Sequence, residues 1–379
     1  MSYFELAKKM MPRIVEWRRY IHQNAELSFE EYNTQAFVAA VLDEYAIPYV
    51  KVAGTGLLAK LTGDKPENPI VLRADMDALP IHERNNLPYA CKSGKMHACG
   101  HDIHTTSLLA ALILLKINGY KGTIWGLFQP GEEMHPGGAS IVLKEGVFDG
   151  LEPRCFVGQH VSPELPVGVF GFRGGTFMAS TDEIHITMRG RGGHAAMPHL
   201  LKDPVVASAA MVLAMQTIVS RNNNALTPAV LSFGRVIADG ATNIIPDEVY
   251  IEGTLRTMSE EFRAQAHKRV EEIAKNTALS YDVDADVEIK TGYPSVYNNP
   301  ELTKRAIAVC LEEFGGEAVV NIPMRMTAED FGFYAARYPS LFYRLGVGES
   351  APLHNAEFVA DEGCLAYGAA FMAELAEKL

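Results

Sequence analysis

Apolar residues recur along this chain with two different periods, and the change between them outlines its architecture. In residues 4–22 and 29–45 they return roughly every three to four positions, which predicts two amphipathic helices, the second ending before AIPYVKV. GLLAKLTG, PIVLRAD, GTIWGLFQP and RCFVGQHV are instead short and almost continuously apolar, which predicts strands covered on both faces. A helix around 104–118 and a short one near 137–145 fall between them. Strands and helices alternating in this way predict an α/β layer, a mixed sheet flanked by helices.

From about residue 180 the pattern changes. DEIHITMRG (182–190), AVLSFGRVIA (229–238), VYIEGTLRT (249–257) and DADVEIKTG (284–292) read as strands. Between them lie a strongly apolar helix, DPVVASAAMVLAMQTIVSR (203–221), and an amphipathic one, SEEFRAQAHKRVEEIAKNTA (259–278). Ser259 is placed to cap the latter, with Glu260 and Glu261 in its first turn. The order β-α-β-β-α-β is that of a ferredoxin-like unit. A helix over PELTKRAIAVCLEEFG, a strand over SLFYRLGVG and a final helix over DEGCLAYGAAFMAELAEKL follow. The expectation is an α/β domain over residues 1–178 and 293–379, interrupted by an inserted α+β domain over residues 179–292. The strand edges and helix face of such an insert suit a symmetric dimer. Met211 and Met215 stand at helical spacing and read as core, as do Trp17 and Trp125.

Composition narrows the function. At 379 residues the chain is longer than one core usually supports. The net charge of −12 speaks against nucleic acid as a partner, though one well-placed Arg can still bind a small anion. The opening MSYFELAKKMMPRIVEW lacks a signal-type apolar core, and no apolar run reads as long enough to span a bilayer, so the expected location is the cytoplasm. Five scattered cysteines, Cys91, Cys99, Cys155, Cys310 and Cys364, do not form a disulfide pattern.

In open α/β sheets the chemistry collects beyond the carboxyl ends of the strands. PIVLRAD runs into Asp75-Met76-Asp77, GTIWGLFQP into Gly131-Glu132-Glu133, RCFVGQ into His160, and SLFYRLGVG is soon followed by His354. The segment KMHACGHDIH (95–104) lies in a loop before a helix, rising to the same edge. Candidate metal ligands are Cys99, His101, Glu133, His160 and His354, with Asp75, Asp77, Asp102 and His104 in reserve. Thiolate, imidazole and carboxylate form the donor set of zinc and its first-row neighbours. More than four candidates point to two ions with open positions, and adjacent Glu132 and Glu133 divide naturally into a general base and a ligand. Plainer roles compete. Asp102 reads as a helix cap or a support for a ligand more readily than as a ligand, and His97 as a residue flanking a turn. His22 and His267, in helical stretches, read as ordinary surface residues.

RRYIHQNAELSFEE, RADMDALPIHE, KMHACGHDIHTTSLLAA, FQPGEE, GQHVSPELPVG, GRGGHAAMPH, ATNIIPDEVYIEGTLRT and PLHN resemble, in order, the successive motifs of the M20 metallopeptidase family. The nearest branch is its amidohydrolase subfamily of N-acyl-amino-acid amidohydrolases, hippurate hydrolases, auxin-conjugate hydrolases and N-acetyldiaminopimelate deacetylases. The resemblance implies a dinuclear-metal hydrolase domain with an inserted ferredoxin-like lid that usually dimerises. Carried over by motif, the ligands are Cys99, His101, Glu133, His160 and His354, Glu132 is the general base, and Asp77 supports the metals. His194 matches a lid histidine that often reaches the partner subunit's site and would stabilise the oxyanion; Asn243 and Arg256 match positions that hold the substrate carboxylate. Where the wider family begins its ligand set with His-x-Asp, this chain has Asp75, and Cys99 and His101 appear instead. A thiolate favours zinc, while manganese, nickel and cobalt stay open. The implied reaction is hydrolysis of an N-acyl, particularly an N-acetyl, amino acid by a water that Glu132 deprotonates. An N-acetyldiaminopimelate deacetylase, an aminopeptidase or dipeptidase of the same fold, and a non-catalytic metal-stabilised binding protein are the alternatives. HACGHD and an intact Glu132 weigh against the last two.

Overall fold

The computed structural model describes residues 1–63 and 68–379. They form two compact units, one of Met1–Phe177, Tyr297–Met324 and Asp330–Leu379, the other of Met178–Val296 and Arg325–Glu329.

The first unit is built on a mixed eight-stranded sheet. From edge to edge its strands are Tyr49–Val52, Gly56–Thr62, Thr123–Gln129, Ile70–Asp75, Cys155–Ser162, Ser340–Gly346, Phe170–Phe172 and Val319–Asn321. The strands Thr123–Gln129, Ile70–Asp75, Cys155–Ser162 and Ser340–Gly346 run parallel to one another, so their carboxyl ends share one rim. Alternation along Ile70–Asp75 sorts its residues by face. Ile70, Leu72 and Ala74 enter the main core with Trp17 and the helix His101–Asn118, whereas Arg73 and Asp75 alternate with them and are wholly buried all the same. The helices Tyr3–Gln23, His101–Asn118 and Cys364–Lys378 pack against one another over that core. His101–Asn118 is buried from His101 to Leu115: its apolar later turns, Leu108–Leu115, lie in the main core, and its polar first turns face the rim.

The second predicted helix starts later than its pattern suggests, at Tyr32. Phe29 sits at φ +65°, a conformation that interrupts a helix, and Ser28 is bonded elsewhere in the fold. The helix preceding residue 119 begins earlier than expected, at His101, behind Gly100 at φ +79°.

The second unit has a four-stranded antiparallel sheet in the order Ala229–Ile237, Glu248–Thr257, Ser180–Arg189, Asp284–Thr291, the arrangement of the ferredoxin-like fold. Helices Pro204–Thr217 and Glu260–Ser280 pack on the sheet, burying Met211 and Met215 against Ile184, Ile186 and Val249. Asp203 and Ser259 cap their amino ends through side-chain bonds to backbone N–H groups. One expectation is corrected here. With the π-helical turn after it, Pro204–Asn222 is long and apolar enough to cross a membrane by length and composition, yet Ala207, Met211, Met215 and Ile218 are spent on the core of this unit.

His267 is also not the ordinary surface residue its helical setting suggested. Its Nε2 lies 2.6 Å from Asp182 Oδ2, and Arg263 donates to the same carboxylate from Nε (2.9 Å) and Nη2 (2.6 Å). Burial would raise the Asp182 pKa, but Arg263 and His267 outweigh it and bring it from 3.8 down to about 2. Such a carboxylate stabilises the fold at pH values above its unfolded pKa, and that contribution is lost as pH falls through the folded one. Replacing Asp182 with Asn should therefore lower the unfolding free energy at pH 7 by about 3 kcal/mol. Denaturant titrations should show the gap to the parent narrowing as pH falls from 3.8 toward about 2.

Candidate active site

The rim of the first unit gathers the residues whose chemistry stood out. Cys99 Sγ lies 3.3 Å from His160 Nε2 and 3.3 Å from His354 Nε2, and His354 Nε2 lies 3.2 Å from Glu133 Oε1. Donor atoms of Cys99, His101 and His160 fall within 4.8 Å of one another, as do those of Cys99, Glu133 and His354. The two clusters share Cys99. A third group joins Glu132 to His101 and Glu133 on the same scale.

The ring nitrogens are oriented for ligation. His101 Nδ1 donates to the Asp77 backbone carbonyl (2.9 Å), with Asp77 Oδ1 at 3.2 Å, which turns Nε2 toward the cluster. That Nε2 is buried with no hydrogen-bond partner, a costly state for a polar atom. His160 Nδ1 donates to the Val161 carbonyl at 2.8 Å, again turning Nε2 toward Cys99. Burial, reinforced by Arg344, holds His160 well below the usual histidine range, so it is a neutral donor.

Electrostatics add a second test. Burial and the neighbouring Glu133 push the Cys99 thiol up, and bonds to Cys99 and Glu133 push His354 up to about 10. The cluster attracts positive charge. A set of one thiol, three imidazoles and a carboxylate in two overlapping groups, one imidazole nitrogen buried and unsatisfied, fits two divalent ions.

Each of these groups is held from behind. Asp77 Oδ2 accepts from Ser28 Oγ (2.6 Å) and from the Glu133 N–H (2.9 Å). Burial raises the Asp77 pKa, but the bonds from His101, Ser28 and Glu133 prevail and leave it lowered. The Gly131 N–H donates to Glu31 Oε1 at 2.8 Å, so the Gly131–Glu133 turn is pinned at both ends. Gly131 is required here: at φ +62°, a Cβ would come within 2.3 Å of the Phe29 ring. His354 stands at φ +61°, and its N–H donates to the Ala98 carbonyl at 2.9 Å, tying the PLHN and HACGHD loops together. Strain of this kind at a non-glycine residue collects at functional sites.

The HACGHD loop has its own anchor. Asp102 is not the helix cap; it lies in the first turn, accepts from Ile103 N–H at 2.9 Å, and takes bonds at 2.8 Å from both Arg18 Nε and His22 Nδ1. His22, expected at the surface, is buried, with Nε2 3.2 Å from the Glu83 carboxylate. Burial disfavours its charge, but the two carboxylates outweigh that and raise its pKa. The sequence carried a signal for this: Arg18 and His22 continue the buried stripe of Ile14, Trp17 and Ile21 at helical spacing. His104 and Asp75 likewise belong behind the rim, joined by a 2.6 Å bond between Nδ1 and Oδ1. His97 is wholly buried in the same loop.

The remaining expected residues lie in the second unit. His194, exposed, is in the short strand Gly193–His194 paired with Ile244–Ile245, and the Ala195 N–H donates to the Asn243 carbonyl at 3.0 Å, so these two positions are neighbours. His194 Nδ1 accepts from the Ala196 N–H at 3.1 Å, which puts the ring proton on Nε2. Arg256, half-buried on Glu248–Thr257, donates to Thr254 Oγ1 at 2.7 Å and to Thr181 Oγ1, and it borders a cavity of about 640 Å³.

Comparison with known proteins places this rim in context. The sequence model of Peptidase family M20/M25/M40 matches residues 71–378. N-acetyldiaminopimelate deacetylase of Lactococcus lactis subsp. cremoris (strain SK11) is 38% identical over 360 residues, covering 94% of this chain and 95% of that protein. N-acetyl-L-cysteine deacetylase of Bacillus subtilis (strain 168) is 38% identical over 374 residues, covering 97% and 88%. Among solved structures, the Bacillus subtilis YXEP protein, a dinuclear metal binding peptidase from the M20 family, is similar with a TM-score of 0.85 and 34% identity, covering 97% of this chain and 98% of that one.

If Asp77 fixes the His101 ring as the geometry indicates, Asp77→Asn should weaken metal affinity by about 10–100-fold while the chain stays folded. Calorimetric titration of the metal-free protein with zinc measures this, and unchanged affinity would show that Asp77 does not tune the ligand.

Proposed function

We propose a function from the premise that this chain belongs to peptidase family M20/M25/M40: it hydrolyses the amide bond of N-acyl amino acids with the aid of divalent metal ions, releasing a carboxylic acid and a free amino acid. The observation that carries the reading is the pair Glu132 and Glu133. One of the two joins a donor cluster through Cys99 and His354, and the other stands beside it within 4.8 Å of His101. A purely structural metal site has no use for a spare carboxylate.

In this reading Cys99, His101, Glu133, His160 and His354 would hold two ions, and Asp77 orients His101. When bound, the ions supply Lewis acidity that polarises the scissile carbonyl and lowers the pKa of water. Zinc suits the thiolate best, ahead of manganese, nickel and cobalt. Glu132 takes a proton from the attacking water as its oxygen bonds to the carbonyl carbon, then returns that proton to the nitrogen as the C–N bond breaks. Water is thereby divided between the acid and the amine, and Glu132 ends as it began. His194, with its proton on Nε2, is the donor assigned to the oxyanion, and Asn243 and Arg256 are assigned to the substrate carboxylate. The reading includes a cytoplasmic homodimer joined through the second unit.

Acetyl is the favoured acyl group, because the similar deacetylases act on N-acetylated substrates by name. A narrower reading, deacetylation of N-acetyldiaminopimelate, is favoured by the name that several of these relatives share. N-acetyl-L-cysteine deacetylase is equally similar at 38% identity, so a panel of N-acyl amino acids assayed with the metal-loaded protein decides between them. Release of acetate from none of them would remove the reading altogether.

Glu132→Gln should keep full metal content and an unaltered melting temperature while turnover falls by about 10²–10⁴-fold. Metal analysis and single-turnover kinetics on one sample test this, and undiminished turnover would exclude Glu132 as the base.

A further inference from the structure

Arg73 is a cation with no exposure, placed in a strand that is otherwise apolar up to Asp75. Burying a guanidinium is costly unless its partners are well arranged, and an apolar residue would serve the strand alone equally well. Its partners show a different use. Nε donates to Gln129 Oε1 at 2.9 Å, Nη1 to Asp75 Oδ2 at 2.6 Å, and Nη2 to Asp330 Oδ1 at 2.6 Å.

The two carboxylates lead to opposite sides of the site. Asp75 bonds His104 Nδ1, and His104 Nε2 accepts the N–H of Val161, the residue following His160. Asp330 leads to the base. Its Oδ2 accepts from the Ala139 N–H at 2.9 Å, in the helix after the turn that carries Glu132, and from Gln129 Nε2 at 2.8 Å, at the end of the strand before it. Its own backbone N–H then donates to Glu132 Oε1 at 3.4 Å. Tyr334 completes the frame, its hydroxyl donating to Gln129 Oε1 at 3.1 Å.

We propose that Asp330 is a positioning residue for Glu132: its side chain, clamped by Arg73, Gln129 and the Ala139 N–H, presents its backbone N–H to Oε1 and so fixes the direction in which the base faces. The Asp330 carboxylate acts only through Glu132. Arg73 sets both Asp330 and the Asp75–His104 pair, so the base and the strand bearing His160 are located from one buried cation. A base displaced by about 1 Å loses on the order of 100-fold in rate, which is ample reason to bury a charge for its placement.

The proposal rests on Glu132 being the base, and the experiment separates the two. Asp330→Asn, Glu132→Asp and the double variant are prepared with metal, and metal content, melting temperature, kcat and KM are measured on a reactive N-acetyl amino acid. Asp330→Asn keeps its metal stoichiometry and loses about 10–100-fold in kcat with KM changed by less than about threefold. Glu132→Asp, whose shorter carboxylate cannot reach the same N–H, is already slow, and adding Asp330→Asn to it costs less than about twofold more. Losses that multiply across the cycle, or a rise in KM alone, would overturn the positioning role while leaving Glu132 as base. Full activity in Glu132→Gln would overturn the underlying reading instead. Should Asp330→Asn fail to fold, Gln129→Met removes one donor to Asp330 and one acceptor from Arg73. It should show the same non-additivity with Glu132→Asp at a smaller loss of kcat, and additivity would again overturn the proposal.

Discussion

Negative charge crowded into a low-dielectric rim has to be answered by positive charge or by N–H and O–H donors, and the first unit is arranged around how that is done. Behind the rim three buried acids are matched within the protein. Asp75 meets Arg73 and His104, Asp77 meets His101, Ser28 and a backbone N–H, and Asp102 meets Arg18 and His22. At the front, Cys99 and Glu133 face one another across His354; burial together with Glu133 raises the thiol, and the bonds to Cys99 and Glu133 raise the imidazole. The bonds at the back orient the rings that would hold a dication at the front.

The parallel sheet makes this arrangement attainable. Four strands ending at one rim deliver side chains from segments far apart in sequence, and rigid strands place them more accurately than loops alone. The connecting turns adapt at some cost in backbone strain: Phe29 and His354 take positive φ, and Gly131 gives way to the Phe29 ring. Those turns are then tied to neighbours by Glu31, Asp77 and the Ala98 carbonyl, so the strain is absorbed by bonds that also hold the functional groups.

In the second unit the same logic serves stability. Asp182 gathers Arg263 and His267 from one helix, together with the Gly292 N–H at the end of a strand, and so joins helix to sheet at a buried point. The apolar helix Pro204–Thr217 gives Ala207, Met211 and Met215 to the core of this unit, while Val206 and Leu213 stand exposed.

Much of this was legible from residue order alone. Near-continuous apolar runs and three-to-four periodicity located strands and helices, the β-α-β-β-α-β order pointed to a ferredoxin-like unit, and strand ends followed by Asp, Glu or His pointed to one edge of the sheet. These features are local, so a linear reading captures them. What needed the tertiary structure was every pairing between distant positions: Arg18 and His22 with Asp102, Arg73 with Asp330, Glu31 with Gly131. His22 and His267 were misjudged for that reason, since a histidine on a helix carries no local mark of which carboxylate lies opposite it. Position along the chain determined which groups reach the rim, and packing across more than two hundred and fifty residues, as between Arg73 and Asp330 at a separation of 257, decided which of them are neutralised and which are left to bind.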